Sequence, residues 1–378
     1  MSQDIPPDNS VSDENPMVSH WRNMPRRTLT IALSILPLVA LGNVAVLIYA
    51  LGGIDLSEKL VAPGLLGLVT LLVFVPMISN SIRLAIWARF LNLDFGFMKA
   101  LKVITGTMVT NSITPSSTGA MPIKVLFLLG EGVDSRRSIT LISFQAAEDT
   151  FMTLSMVALC LGVTGYAMLG VVGSDPEIVT RLNGTIESAL WIVGGVVLAI
   201  AAGLTLIATG AFGATVRDWS FRILRRAKIH IIQIASDWAS VFRQGKGLAL
   251  INLGLTALQW AVRFSIAGLV LAAFGVEWQP ALFWLLQWLV QTISSIVPTP
   301  GGAGGAEAAF LLLFAPFVVM GVLVPAMSTW RLMHFYLPLV GAALTFFLLH
   351  RRDRAEAKAA KARDQENEAD MGLAQPAE

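Results

Sequence analysis

A small set of charged residues lies inside long apolar stretches of this sequence, where the presence of a charge needs an explanation. A charged side chain at the centre of a bilayer costs on the order of 2.5–3.5 kcal/mol on insertion scales, so it normally faces the protein interior or a polar cavity. Buried basic residues bind anionic groups such as phosphates, and buried acidic residues hold basic side chains in place by charge pairing. The alternative is that they form structural pairs that only hold helices together. The residues are Arg83, Lys124, Glu148, Asp149, Arg263, Glu307 and Arg331.

A short motif occurs twice, at residues 112–120 and 295–303, with a constant offset of 183 residues between the copies. Serine, isoleucine, proline, glycine and alanine match directly. The match continues beyond the motif, because the Phe-Leu-Leu of 127–129 falls on the Phe-Leu-Leu of 310–312. Short Pro/Gly/Ser segments also resemble one another by chance, but a match that extends past them favours a duplicated unit.

The same offset relates charged residues of opposite sign. Lys124 falls on Glu307, and Glu148 falls on Arg331. We expect these residues to form one or two ion pairs between the halves, around a cavity near the middle of the membrane. Arg83 and Arg331 are then the candidates to bind a phosphate or another anionic group. Glu148 and Glu307 are expected to hold these arginines, or a cationic head group, by charge pairing.

Both copies of the motif predict a break in helical structure. Proline cannot donate a backbone hydrogen bond, and glycine lets the backbone approach other groups closely. Free N–H groups where the helices resume favour an anion such as a lipid phosphate, although glycine-rich stretches in membrane helices also serve as close-packing surfaces. The residues of the two breaks are Pro115, Ser116, Gly119, Pro298, Pro300, Gly301 and Gly302.

The composition indicates an integral membrane protein, and the sequence contains no recognisable catalytic motif. The chain is 55% hydrophobic and only 14% charged, whereas a soluble chain is about 25% charged. The single cysteine, Cys160, excludes a disulfide within the chain, and the four histidines form no metal-binding pattern. Glu148 and Asp149 are adjacent, so on a helix they point about 100° apart and make a poor acid/base pair. We expect no catalytic residue, metal or cofactor.

The elements that must position these residues are predicted to be helices. A bilayer requires about 20 apolar residues per helical span. Two segments that contain the breaks, 95–130 and 278–314, fit re-entrant hairpins better than spans, since the arm from Pro122 to Gly130 covers only about 14 Å. The fold class is therefore an all-α polytopic membrane protein with about six full spans and two re-entrant hairpins. The spans are 29–51, 65–91, 139–172, 188–212, 248–274 and 317–349.

Basic residues cluster on one side of these spans, which places both termini in the cytoplasm by the positive-inside rule. Three crossings then separate the hairpins, so the second half is an inverted copy of the first. Residues 215–246 form a basic amphipathic helix that either lies on the anionic cytoplasmic leaflet, which we favour, or connects the halves in solvent. The organisation is a disordered tail 1–24, a first membrane half 25–212, an amphipathic helix 213–246, a second half 247–350 and a charged tail 351–378.

Several of these residues resemble a known family over about residues 25–350. The chain is similar to the transmembrane region of the lysylphosphatidylglycerol synthase family, also described as flippase-like membrane proteins. Ser116-Ser117-Thr118 departs from the pattern, since relatives tend to have more glycine there. The resemblance rests on Arg83, on Pro115 and Gly119 followed by Pro122, Lys124 and Gly130, on Pro298, Pro300, Gly301, Gly302 and Glu307, and on Trp330-Arg331. It implies functional weight on Arg83, Pro298, Gly301, Gly302, Glu307 and Arg331.

The resemblance implies a lipid translocase of the cell inner membrane. In two-domain members the membrane part is taken to move an aminoacylated phospholipid between leaflets, while a soluble domain makes it. Aminoacyl transfer is not expected here, because these residues include no synthase domain. The expected partners are a phospholipid or another anionic or aminoacylated lipid, the anionic leaflet and a lipid-synthesis protein, with no nucleic acid. An intramembrane lipid-modifying enzyme and a non-transporting scaffold of lipid or envelope synthesis are the alternatives.

Overall fold

The computed structural model describes residues 62–113, 120–172, 236–241, 243–297, 299 and 301–373. Within these residues the chain is helical and contains no β-strand, which confirms the all-α class. The helices are α1 (Pro63–Leu72), α2 (Val75–Phe90), α3 (Phe97–Ile113), α4 (Ala120–Gly130), α5 (Ser135–Val172), α6 (Lys246–Ala273), α7 (Pro280–Ile296), α8 (Gly305–Phe314), α9 (Met320–Arg331) and α10 (Leu337–Leu373), with a 3-10 turn (Ala315–Phe317) before α9 and a π-helical turn (Leu332–Tyr336) after it.

Four helical stretches of the described chain are long and apolar enough to cross a membrane. They coincide with four of the six predicted spans, which identifies a helical membrane protein. The other two predicted spans, 29–51 and 188–212, lie outside the described residues, so the total of six stays a prediction. The four stretches are Pro63–Phe90, Ser135–Gly165, Lys246–Ala273 and Gly321–Ala360.

Each predicted hairpin segment consists of a longer helix packed against a short one. α3 packs on α4, and α7 packs on α8. α4 has 11 residues and α8 has 10. At about 1.5 Å per residue, both are much shorter than the roughly 30 Å hydrocarbon core. These lengths suit hairpins at 95–130 and 278–314, while their insertion from opposite faces of the membrane stays a prediction.

The helix bounds follow the internal repeat. Shifting α3 by the offset of 183 residues gives 280–296, which are the bounds of α7. The same shift places α4 at 303–313, within two residues of α8 at each end. The duplicated motif therefore corresponds to a duplicated pair of helices.

Glycine is required at the second break, because the backbone passes through left-handed conformations there. Gly301, Gly302 and Gly304 have φ angles of 61°, 65° and 82°. A Cβ on Gly302 would lie 1.9 Å from Ser294 Oγ, and a Cβ on Gly301 would lie 2.3 Å from the ring of Phe335. Conformation and packing together exclude larger residues at Gly301 and Gly302.

Two clusters of buried apolar side chains divide the described helices. The second-half cluster is built from α1, α6, α7, α8 and α9. The first-half cluster is built from α2, α3, α4, α5 and the start of α10. Helix α1 therefore packs with the second half, on α6, whereas the last helix packs with the first hairpin, on α3. The two halves are interlocked through these two helices.

An ion cluster ties α10 to the first hairpin. Lys102 on α3 lies 2.6 Å from Glu131 Oε1, just after α4, and also pairs with Asp353 on α10. The Lys102 side chain is 16% exposed, so this Lys102 cluster is partly shielded from water. Helix α10 continues to Leu373, through most of the charged tail predicted for 351–378.

The end of the predicted amphipathic helix 213–246 is described, and it packs on α5. Thr140 Oγ1 donates a hydrogen bond to Asp237 at 3.0 Å. Trp238 packs edge-on against Phe144, with ring centroids 4.7 Å apart. Most of the segment lies outside the described residues, so its binding to the anionic leaflet stays a prediction.

Candidate functional site

A cavity of about 350 Å³ lies between the two halves. Its walls come from α2 and α3 of the first half, and mainly from α6, α7 and the π-helical turn of the second. The volume is at the lower end of the roughly 300–1,000 Å³ that is typical of small-molecule sites. The polar lining includes Asn80, Ser112, Arg263, Gln287, Gln291 and His334.

Positions related by the repeat line this cavity in pairs. Each pair is separated by 183 residues, and one member comes from each half. The second copy supplies arginine where the first supplies asparagine, so the cavity is polar on both sides but carries this positive charge on only one. The pairs are Asn80 with Arg263, Met108 with Gln291, Asn111 with Ser294, and Ser112 with Ser295.

Arg83 is completely buried and is bound by two carboxylates of α5. Its Nη2 lies 2.7 Å from Glu148 Oε2, and its Nη1 lies 2.9 Å from Asp149 Oδ1. Nη2 also donates to the Gln145 carbonyl oxygen, and Nε donates to Glu148. Trp87 donates to the other Glu148 oxygen at 2.9 Å. All three nitrogens of Arg83 have partners, so this residue holds α2 against α5.

Asp149 connects the two halves. Its Oδ1 accepts a hydrogen bond from Arg83 of the first half at 2.9 Å. The same oxygen accepts from Gln259 Nε2 at 2.8 Å and from Trp260 Nε1 at 3.1 Å, both on α6 of the second half. One carboxylate oxygen therefore joins α2, α5 and α6.

Lys124 on α4 contacts the cavity wall through two amides. Its Nζ donates to Gln145 Oε1. Gln145 in turn donates to the backbone carbonyl of Asn80 at 3.1 Å, and Asn80 lines the cavity. This series of hydrogen bonds fixes α4, the short arm of the first hairpin, against α5 and α2.

Arg331 ends α9 and is paired with Glu307 of α8. The distance from Arg331 Nε to Glu307 Oε1 is 2.8 Å, and Arg331 Nη2 donates to the Gly301 carbonyl at 2.8 Å. Glu307 Oε2 also accepts from the Gly304 amide at 2.7 Å, where α8 begins. The guanidinium lies 4.3 Å from the ring centroid of Phe335. These contacts fix the second break beside a π-helical turn, a geometry that is frequent at functional sites.

The prediction of ion pairs between the halves is wrong for these residues. Glu148 pairs with Arg83, and Arg331 pairs with Glu307, so each pair forms inside one half. The physical reason is that each carboxylate meets an arginine of a helix packed directly on its own helix, α2 on α5 and α9 on α8. The polar connection between the halves runs through Asp149 instead.

Arg263 on α6 has a different environment from Arg83 and Arg331. Its Nε donates to Gln291 Oε1 at 3.0 Å, and its guanidinium lies 5.5 Å from the ring centroid of Trp260. No carboxylate of the described residues pairs with it, and its two terminal nitrogens have no hydrogen-bond partner there. Arg263 lines the cavity, so these two donors belong to a side chain of the cavity wall.

The helices that form this cavity lie within a region that matches a known family. A family model described as the lysylphosphatidylglycerol synthase transmembrane region matches residues 28–342. The chain belongs to this family. The matched residues include Arg83, Arg263, Arg331 and their partners.

Similarity to a second membrane protein is consistent with membership of the lysylphosphatidylglycerol synthase transmembrane-region family. This relative is a UPF0104 membrane protein of Archaeoglobus fulgidus, which is 23% identical over 265 residues. The alignment covers 68% of this chain and 77% of the relative. The resemblance stated from the sequence is therefore confirmed at the level of the family.

The residues selected from the sequence fall into three groups in this family member. Arg331 and Gly301 line the cavity. Those that stand outside the cavity lining and support nearby helices are Arg83, Lys124, Glu148, Asp149, Gly302 and Glu307. Those that lie outside the described residues are Pro115, Ser116, Gly119, Pro298 and Pro300.

Sequence reasoning missed the amides of α7. Gln287 and Gln291 line the cavity and are one helical turn apart in an otherwise apolar stretch. Two amides at this spacing occupy one face of a helix, and polar residues inside membrane helices face the protein interior. That signal was available from the sequence. Among the described residues, no group of three His, Cys, Asp or Glu side chains could hold a metal ion.

Proposed function

We propose that this protein moves a polar-headed membrane lipid between the two leaflets. The observation that supports this most directly is the polar cavity between two interlocked halves. A head group needs a polar route through the membrane, whereas acyl chains remain in the bilayer. Exposed apolar side chains such as Leu71, Leu250 and Leu312 supply a surface for those chains.

The two breaks supply the elements that change access to the cavity in this proposal. Ser112 near the end of α3 and Ser295 near the end of α7 both line the cavity, and each stands just before a break. Interrupted helices that meet at a central site are a recurring arrangement in transporters. Movement of the short arms α4 and α8 can then open the cavity without disrupting a full span.

Blocking the cavity after folding tests the proposal. The protein, with Cys160→Ala and Ser112→Cys, is reconstituted in liposomes with head-group-labelled phospholipid, and leaflet redistribution is followed by a membrane-impermeant quencher. A thiol reagent that forms a mixed disulfide should stop redistribution, and a reductant should restore it. Ser240→Cys in the same background is the matched control, because Ser240 is exposed and is not part of the cavity lining. Its modification should have no effect.

Two results would contradict the proposal. One is no redistribution above protein-free liposomes for anionic, zwitterionic and aminoacylated lipids alike. The other is redistribution that continues after Ser112→Cys is modified. Mass analysis of the same lipids covers the enzyme alternative, because a lipid-modifying enzyme changes the covalent structure whereas a translocase leaves it intact.

We also propose a location and orientation from the distribution of basic residues. The protein lies in the cell inner membrane with both termini in the cytoplasm, residues 215–246 contact the anionic leaflet, and a lipid-synthesis protein supplies the substrate. Protease accessibility of tags at each end, in intact cells and in inverted vesicles, tests the orientation. Protection of either tag in inverted vesicles would contradict it.

A further inference from the structure

The geometry points to Arg263 as the anion-binding residue of the cavity, with a lipid phosphate as the group that it binds. This inference rests on the proposed function, because it names the head-group chemistry of that same site. Its basis is the difference between Arg263 and the two arginines that the sequence singled out. Arg83 and Arg331 are held by carboxylates, whereas Arg263 is held by an amide and an aromatic ring.

The guanidinium of Arg263 is positioned without being neutralised. Gln291 accepts from Nε, which fixes the plane of the group at one edge. The guanidinium carbon lies over the ring of Trp260, 5.5 Å from its centroid, a distance at which a cation is attracted to the ring. Both terminal nitrogens stay available. This arrangement presents a planar pair of donors, which matches two oxygens of one phosphate.

A second group in the cavity also awaits a partner. Gln287 is completely buried, and neither its amide nitrogen nor its amide oxygen has a hydrogen-bond partner among the described residues. It lies one turn before Gln291 on the same helix and lines the same cavity. Buried polar groups are nearly always bonded, so this amide indicates a bound molecule that offers hydrogen bonds.

The charge of the lining selects the sign of the ligand. The described lining contains Arg263 and Arg331 but no aspartate or glutamate. Arg331 is already paired with Glu307, which stands outside the lining. A head group that carried only positive charge would face Arg263, which no carboxylate of the described residues pairs with and from which the nearest acid, Asp149, is separated by Trp260. A phosphate satisfies Arg263, and a phosphate oxygen or head-group hydroxyl satisfies Gln287.

The repeat gives a well-matched substitution for the test. Asparagine already occupies the position related to Arg263 by the repeat, at residue 80 of the same cavity. Arg263→Asn therefore removes the charge with a side chain that the cavity accommodates. Arg89→Asn is the control, because it makes the same change on an exposed part of α2. Arg263→Lys keeps the charge but loses the planar fork.

The experiment measures binding of short-chain phosphatidic acid to the purified protein in a neutral detergent, with short-chain diacylglycerol and inorganic phosphate as comparison ligands. Wild type and Arg89→Asn should bind phosphatidic acid and not diacylglycerol. Arg263→Asn should bind about tenfold or more weakly, which is the scale of losing a charge-assisted hydrogen bond, and Arg263→Lys should lie between. Unchanged binding by Arg263→Asn, or equal binding of both lipids, would overturn the inference.

Gln287→Met keeps the test decisive if Arg263→Asn does not fold. This change should weaken phosphatidic acid binding and raise the unfolding temperature, because it replaces an unpartnered buried amide with an apolar side chain of similar shape. Inorganic phosphate distinguishes the source of the ligand. If it binds as tightly as phosphatidic acid, the lipid assignment is wrong.

The outcome is separable from that of the proposed function. Phosphate-dependent binding without leaflet redistribution would refute translocation and leave the anion site in place. Redistribution that does not depend on the lipid phosphate or on Arg263 would refute this inference and leave translocation in place.

Discussion

Arg331 Nε lies 2.8 Å from Glu307 Oε1, and the other oxygen of that carboxylate accepts a hydrogen bond from the Gly304 amide. One side chain thus joins the end of α9 to the start of α8. Arg331 extends the connection to the Gly301 carbonyl. The second break is therefore held in shape by an ion pair whose two charges satisfy each other.

Removing one member of that pair should destabilise the protein. The side chains of Arg331 and Glu307 are 4% and 20% exposed. Glu307→Gln should lower the free energy of unfolding by roughly 3 kcal/mol, because a buried arginine loses its counter-ion. Thermal unfolding in detergent measures this. The double variant Glu307→Gln/Arg331→Met should be less unstable than Glu307→Gln alone, and a purely additive result would contradict a coupled pair.

Two glycines of the second break should respond differently to alanine. Gly304→Ala introduces only backbone strain of roughly 1–2 kcal/mol, since nothing lies within 4 Å of its Cβ position. Gly302→Ala adds a clash with Ser294 to similar strain, so it should reduce stability markedly more. Folded yield and unfolding temperature compare the two. Equal effects would mean that the break is not packed as described.

Asp149 should couple the halves energetically. Asp149→Asn and Gln259→Leu each remove part of the hydrogen bond between α5 and α6. A double-mutant cycle should give a coupling free energy of about 1 kcal/mol, the scale expected for residues in direct contact. Ser240→Ala replaces Gln259→Leu in the control cycle, because Ser240 is exposed and bonds only within its own helix. A coupling near zero with Gln259 would remove Asp149 as the link.

The Lys102 cluster should hold α10 against the first hairpin. Lys102→Met removes the cation that Glu131 and Asp353 share. Hydrogen exchange should then become faster around residue 350, by an amount equivalent to about 1 kcal/mol of local stability. Exchange in α6 should not change, since the cluster does not contact that helix. The prediction fails if exchange near residue 350 is the same in both proteins.

Apolar length was enough to predict much of the fold. Each predicted span that falls in the described residues coincides with a helix long and apolar enough to cross a membrane, because about 20 consecutive apolar residues have few other solutions in a membrane protein. The arms α4 and α8 were recognised because proline and glycine interrupt the apolar pattern at a fixed spacing. Helix direction relative to the membrane depends on segments 29–51 and 188–212, which stay predictions.

The pairing of charges was not predictable from the sequence. The repeat aligned Glu148 with Arg331. Alignment between two copies shows that the two positions are equivalent, but it does not show that their side chains are in contact. Contact depends on which helices pack, and α2 with α5 supplied Arg83 as the nearer partner. Arg263 was visible as a buried charge. That no carboxylate of the described residues pairs with it became clear only from the positions of those described acids.

The interlocking of the halves limits how this chain can be divided. Helix α1 belongs to the second-half cluster and α10 to the first-half cluster. A chain severed within 213–246 would yield two fragments that each lack a wall of their own core. Such fragments should fold stably only when both are synthesised in the same cell. If each fragment carried one half of a split reporter protein, the reporter signal would therefore require assembly of the folded protein and not only proximity of the two fragments.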